Sequence, residues 1–173
     1  VSVQAITRSA GITKPTMYRI YPGVHALLLA LLVREQRRAE AALDLVIPRD
    51  PGGRRPADVL ADSLARLLSA VSQSPLTWRL VLFPGEATPE PLRAAVARRR
   101  ERLIGRARVL VRWGARLLPE GEDLDEDVIA RMLVSCAEEC ARLVLDGESA
   151  SAEGLVTSAR ALLDGIEWLD EPR

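Results

Sequence analysis

The sequence predicts an all-α protein, and three observations carry that prediction. No segment alternates apolar and polar residues with period two, so no sheet is expected. Apolar residues instead recur at three- and four-residue spacing between clear turn signals. Hydrophobic residues make up 48% of the 173 positions while aromatics make up only 3%. The core must therefore be built mainly from Leu, Val and Ala, which suits helix packing. The length fits one or two small helical domains and is enough to bury a real core.

The elements follow from the turn signals "YPG", "IPRDPGGRRP", "SP", "FPGEATPEP", "PEGED" and "DGESAS". Ser2 is suited to cap a short helix through "VQAITRSA", and Gly11 to the left-handed position that stops it. Ile12 then points inward and Thr13 caps a second short helix, "KPTMYRIY". Pro15 falls in the first turn, where no N–H is needed, although it disfavours helical angles at Lys14. Ile6, Ala10, Ile12, Met17 and Ile20 form the apolar inside, leaving Lys14, Thr16, Tyr18 and Arg19 for the outside. Two short helices so joined have helix-turn-helix geometry. A long apolar helix follows from "GVHALLLALL".

A helix over 57–73 places Val59, Leu60, Leu64, Leu67, Leu68 and Val71 on one face, with Pro56 near its start. A long basic helix spans 91–118. The next, over 125–146, has acids at its start and Gly147 at its end, as the macrodipole and capping rules prefer. Ser151 and Glu153 open the last helix, "SAEGLVTSARALLDGIEWL". The segment "PRDPGGRRP" is a candidate flexible linker.

Net charge is zero, but it is unevenly spread. From Val1 to Val33 the charges are Arg8, Lys14 and Arg19, with no acid. Acids cluster later at "PEGEDLDED". A basic head on a neutral-to-acidic body suggests that only the head meets a polyanion. No apolar run is long and charge-free enough to span a bilayer, and no secretory signal is evident, so no membrane partner is expected. Cys136 and Cys140 lie one turn apart on one helix face, a poor geometry for a disulfide. They read as two small buried side chains in a reducing cytoplasm, with redox or metal work as the alternative. The single histidine, His25, is far away in sequence. No phosphate-cradling glycine loop and no Cys–His or Ser–His pairing is present, so no catalytic residue, cofactor or metal site is expected, and the chain does not read as an enzyme.

The head resembles the TetR family of bacterial repressors. The resemblance rests on "IT-RSAGITKPTMYRIYP-GVHALLLALL": Ala10 and Gly11 at the turn, the Tyr18 and Tyr21 pair ending the recognition helix, then a long connecting helix. It covers roughly the first fifth of the chain. It implies a partial helix-turn-helix DNA-binding domain over 1–32 and a helical ligand-binding and dimerisation domain over 33–173. It also implies a helix ahead of Val1, so that the sequence begins within a DNA-binding domain. Thr13, Lys14, Pro15 and Thr16 would enter the major groove, with Lys14 and Thr16 nearest base edges. Gln4, Tyr18, Arg19, Tyr21 and His25 complete the implied DNA contacts. Core packing is the alternative for both tyrosines, and the better one for Tyr21; a solvated ring is the alternative for His25. Val24 stands where the family usually places a lysine, which removes one phosphate contact.

For the body, the scarce aromatics and their neighbours can line a cavity between helices: Leu67, Trp78, Leu82, Phe83, Trp113, Met132 and Cys136. Ordinary core packing is the alternative for each. The last two helices offer more apolar surface than one small body covers, with small residues that permit close approach. A two-fold interface is expected at Ala137, Ala141, Val144, Leu155, Ala159, Leu162, Leu163 and Ile166, against the alternative of a monomer whose last helix packs on its own body. The expected function is a ligand-responsive repressor that binds a palindromic operator in double-stranded DNA as a homodimer, under a small apolar or amphipathic effector. The alternative is a small-molecule-binding protein of the same fold with weak or lost DNA binding.

Overall fold

In a computed structural model the described residues are 2–48, 50–82, 90–118, 124–147 and 151–166, and among them lie eight helices and no strand. The order is α1 (Val3–Ser9), α2 (Lys14–Ile20), α3 (Val24–Leu43), α4 (Pro56–Gln73), α5 (Pro75–Leu82), α6 (Glu90–Ala115), α7 (Glu126–Asp146) and α8 (Ala152–Asp164). The ends follow local chemistry. Ser2, Thr13, Asp125 and Ser151 each accept a backbone N–H from the first turn of α1, α2, α7 and α8, which satisfies donors that the helix leaves open. Gly147 ends α7 in the left-handed region at φ 71°.

Two apolar clusters hold the body. In the first, Ala39 and Leu43 of α3, Leu67, Leu68 and Val71 of α4, Trp78 and Val81 of α5, and Ala141 and Leu145 of α7 are buried together. In the second, Ile104, Ala107 and Val111 of α6 meet Ala130 and Val134 of α7. The helix α8 packs chiefly on α4 and buries none of its residues fully.

Five arginines of α6 pair with acids elsewhere in the body. Arg100 pairs with Glu138 at 3.0 Å and Arg112 with Glu126 at 2.8 Å, while Arg108 pairs with Asp127. Towards α3, Arg102 pairs with Glu40 at 2.6 Å and Arg106 with Asp44 at 2.8 Å. Exposed pairs of this kind add little stability singly; here they fix how α6 lies along α7 and α3. Burial pushes the Arg99 guanidinium below its ordinary value; its Nη2 donates to the Val81 carbonyl at 3.0 Å and its Nη1 has no partner.

Two packing expectations are corrected. Of the apolar set assigned to the inside of the head, Met17 is buried, whereas Ile12 is 39% and Ile20 60% exposed. Two seven-residue helices that pack on each other present too little surface to enclose five apolar side chains. Cys136 is exposed and Cys140 half-buried, because α7 turns its 132–136–139 edge outward.

Candidate DNA interface and effector cavity

The turn between α1 and α2 is closed by the backbone. Gly11 adopts φ 66°, the Ile12 N–H reaches the Thr7 carbonyl at 3.0 Å, and the Gly11 N–H reaches the Arg8 carbonyl at 3.3 Å. This pair of bonds is the Schellman arrangement, and a left-handed residue is required at its centre. Thr7 is buried and its hydroxyl donates to the Val3 carbonyl at 3.0 Å. The bend sets the start of α2 free of α1. There Thr13 accepts the Thr16 N–H at 3.4 Å, and the two hydroxyls share a bond of 2.9 Å.

The residues expected at DNA are displayed accordingly. Gln4, Thr13, Lys14, Pro15, Arg19 and His25 are exposed, and Thr16 is half-buried behind the cap. Tyr18 is 50% exposed, while Tyr21 is half-buried. The helices α1 and α2 contain no acid in the first turn and carry Arg8 and Arg19 in their last turns. No side chain caps α3, so its first N–H groups, beside His25, carry the positive end of the helix dipole unmasked.

The connecting helix α3 is held to the body by a buried carboxylate. Glu35 is 4% exposed. The Thr77 hydroxyl of α5 donates to Glu35 Oε2 at 2.6 Å, and Arg34 Nε donates to Oε1 at 2.8 Å. The Thr77 bond is the main reason that the Glu35 carboxyl lies below its ordinary range; burial opposes it, and Arg34 and Arg38 assist. At the far end of α3, Arg106 donates to the Leu43, Asp44 and Ile47 carbonyls at 3.3, 3.0 and 2.9 Å.

Two cavities lie within the helical body. The first, of about 260 Å³, is bordered by the end of α3 (Leu43, with Val46 and Ile47), by Leu64 and Leu67 of α4, by Leu103 and Ala107 of α6, and by residues of α7 and α8, and it opens to the surface beside the exposed Leu162. The second, of about 650 Å³, is lined by Trp113, Leu118, Leu124, Ile129 and Ile166 among others. Of the residues expected at a pocket, Leu67 and Cys136 line the first and Trp113 the second. Trp78 is 2% exposed and lines neither, because it fills the core beneath α3; Leu82 is half-buried against that core. Met132 is 56% exposed on the outer face of α7. Phe83 lies outside the described residues. The first cavity therefore lies against α6 and α7, but borders α3, α4 and α8 rather than α5. The signal that could have found it was the Leu60, Leu64, Leu67 line of α4, all three of which border the first cavity.

The residues expected at a dimer interface divide. Ala141 is fully buried in its own chain, so it is a core residue. Val144, Leu155 and Ala137 are half-buried against the same core. Ala137, Ala159, Leu162 and Leu163 line the first cavity. Leu162 at 78% and Ile166 at 41% remain exposed.

No protein-family model and no curated protein matches the sequence. Solved structures do match. A TetR-like transcriptional regulator from Rhodococcus sp. RHA1 superposes with a TM-score of 0.71 at 26% identity, covering 94% of this chain and 81% of that one. A transcriptional regulator of the TetR/AcrR family from Thermobifida fusca YX-ER1 does so with a TM-score of 0.68 at 18% identity, covering 95% of this chain and 86% of that one. Both likenesses extend over nearly the whole chain, the helix-turn-helix included. The chain has the fold of the TetR-like transcriptional regulators.

Proposed function

We propose that this regulator is a repressor that binds a palindromic operator as a homodimer and releases it when a small apolar effector enters the helical body. The observation that carries the reading is the placement of α3. Its N-terminus follows the recognition helix directly, and Leu43 at its C-terminus lines the first cavity. Twenty residues at about 1.5 Å each make a rigid link of roughly 30 Å between the two. An occupant that displaces Leu43, Val46 and Ile47 tilts this link and with it the head. Such a ligand changes DNA affinity only to the extent that it prefers one tilt over the other. The domain division at residues 32 and 33 falls within α3 and fits this lever.

A second reading has one observation in its favour. The head holds only Arg8, Lys14 and Arg19, and Val24 stands at the start of α3, so DNA binding is weak if no other cation joins in. Selection from random duplexes, followed by binding at two salt concentrations, separates the two readings. A repressor yields a palindromic site and a specific affinity at least ~10³ above its non-specific one. A ratio near unity supports the binding protein instead.

A further inference from the structure

The two cavities share four lining residues: Leu60 of α4, Leu110 of α6, Leu133 of α7 and Leu163 of α8. One leucine from each of four helices thus borders both chambers. The first chamber alone, at about 260 Å³, falls below the usual ~300–1,000 Å³ of small-molecule sites, whereas a site that includes the second falls within it. Neither wall contains an Asp, Glu, Lys, Arg or His among the described residues. The Ser63 hydroxyl in the first chamber already donates to the Val59 carbonyl at 2.7 Å, and burial pushes the Cys140 thiol above its ordinary value. A buried ionic headgroup would therefore meet no compensating charge. We infer that the two chambers form one elongated site for an uncharged long-chain aliphatic molecule, threaded through the ring of Leu60, Leu110, Leu133 and Leu163. The inference rests on the effector reading above and specifies its ligand.

Trp113 lines the second chamber and reports its occupancy. The test titrates the full chain with hexanol, octanol, decanol and dodecanol, and with the matching carboxylates at neutral pH, following Trp emission with Trp113→Phe as the control. Affinity rises about fourfold per added methylene until both chambers are filled. The carboxylates bind about tenfold or more weakly than the alcohols. Leu133→Phe and Leu60→Phe narrow the ring from two different helices. Both keep hexanol binding within about twofold and lose the gain from the longer chains. Affinity that does not depend on chain length, carboxylates that bind as tightly as alcohols, or ring variants of unchanged Tm that treat all four alcohols like the wild type would overturn the inference. If the ring variants do not fold, the wild-type length series decides alone. Length-graded binding that leaves operator affinity unchanged defeats the effector reading and leaves this inference standing. A compact effector that shifts operator affinity while no alcohol binds does the reverse.

Discussion

Lys14 and Thr16 occupy the first turn of α2, and their chemistry differs from that of Tyr18 one turn later. A hydroxyl has one donor and two acceptors, so Thr16 can keep its 2.9 Å bond to Thr13 and still meet a base edge. Lys14→Ala and Thr16→Ala are expected to weaken specific binding by about 1–3 kcal/mol each and to alter base preference. Tyr18→Phe is expected to weaken operator and random DNA alike, because a phosphate contact carries no base information. Filter binding against both DNAs checks this, and equal effects from all three variants would contradict it. Glu35 gives a residue-scale prediction on pH. Its carboxyl is held below the ordinary range chiefly by Thr77. The stabilisation is therefore full above the unfolded value and is lost as pH falls through the native one. Thr77→Val is expected to lower stability at neutral pH by about 1.5–3 kcal/mol, as for a hydrogen bond to a charged group, and by less in acid. Denaturant titrations of both chains along a pH series check the converging difference. The caps at Ser2, Thr13 and Ser151 were legible in the sequence because capping is decided within four residues. The Glu35 and Thr77 pair was not, because its members lie 42 positions apart.

Among the elements, the turn after α1 and the end of α3 depend most on single residues. Gly11 has open space where a Cβ would stand, but its φ of 66° is unfavourable for any other residue. Gly11→Ala is therefore expected to destabilise the turn by about 1–2 kcal/mol through the backbone alone. Loss of DNA binding should precede loss of the body's helical signal on heating. Arg106 satisfies three carbonyls at the C-terminus of α3 with one planar fork. Arg106→Ala leaves them to water, and Arg106→Lys cannot reproduce the fork. Both variants are expected to lower Tm, by similar amounts; full rescue by lysine would show that charge alone matters. The boundaries of α4 and α7 could be read from apolar spacing and caps, since a helix that packs on one face displays its period. The role of α6 could not. Its arginines read as a basic surface in one dimension, and only the fold brings Glu138, Glu126, Asp127, Glu40 and Asp44 against them. The cavity was misplaced for a related reason. Sequence marks bulky aromatics as notable, but Trp78 fills space, and a cavity is made where leucines leave it.

At the scale of the whole molecule, the proposed repressor requires two copies, because one head reads only a few base pairs. Leu162 at 78% and Ile166 at 41% exposure give α8 an apolar edge suited to a two-fold contact. Leu162→Glu is expected to yield monomers by sedimentation that keep their helical content and lose operator binding; a dimer with unchanged affinity would contradict the assignment of α8. The central claim, that cavity and head are linked through α3, is tested most directly by measuring the coupling from both sides. Operator affinity is determined with and without saturating effector, and effector affinity, by Trp113 emission, with and without operator. Linkage requires the same factor in both directions. The account predicts a factor of about 5–150 that opposes joint binding, and a reduced factor in Arg106→Ala, which loosens the end of α3. An effector that binds and alters Trp113 emission while operator affinity stays the same would contradict it.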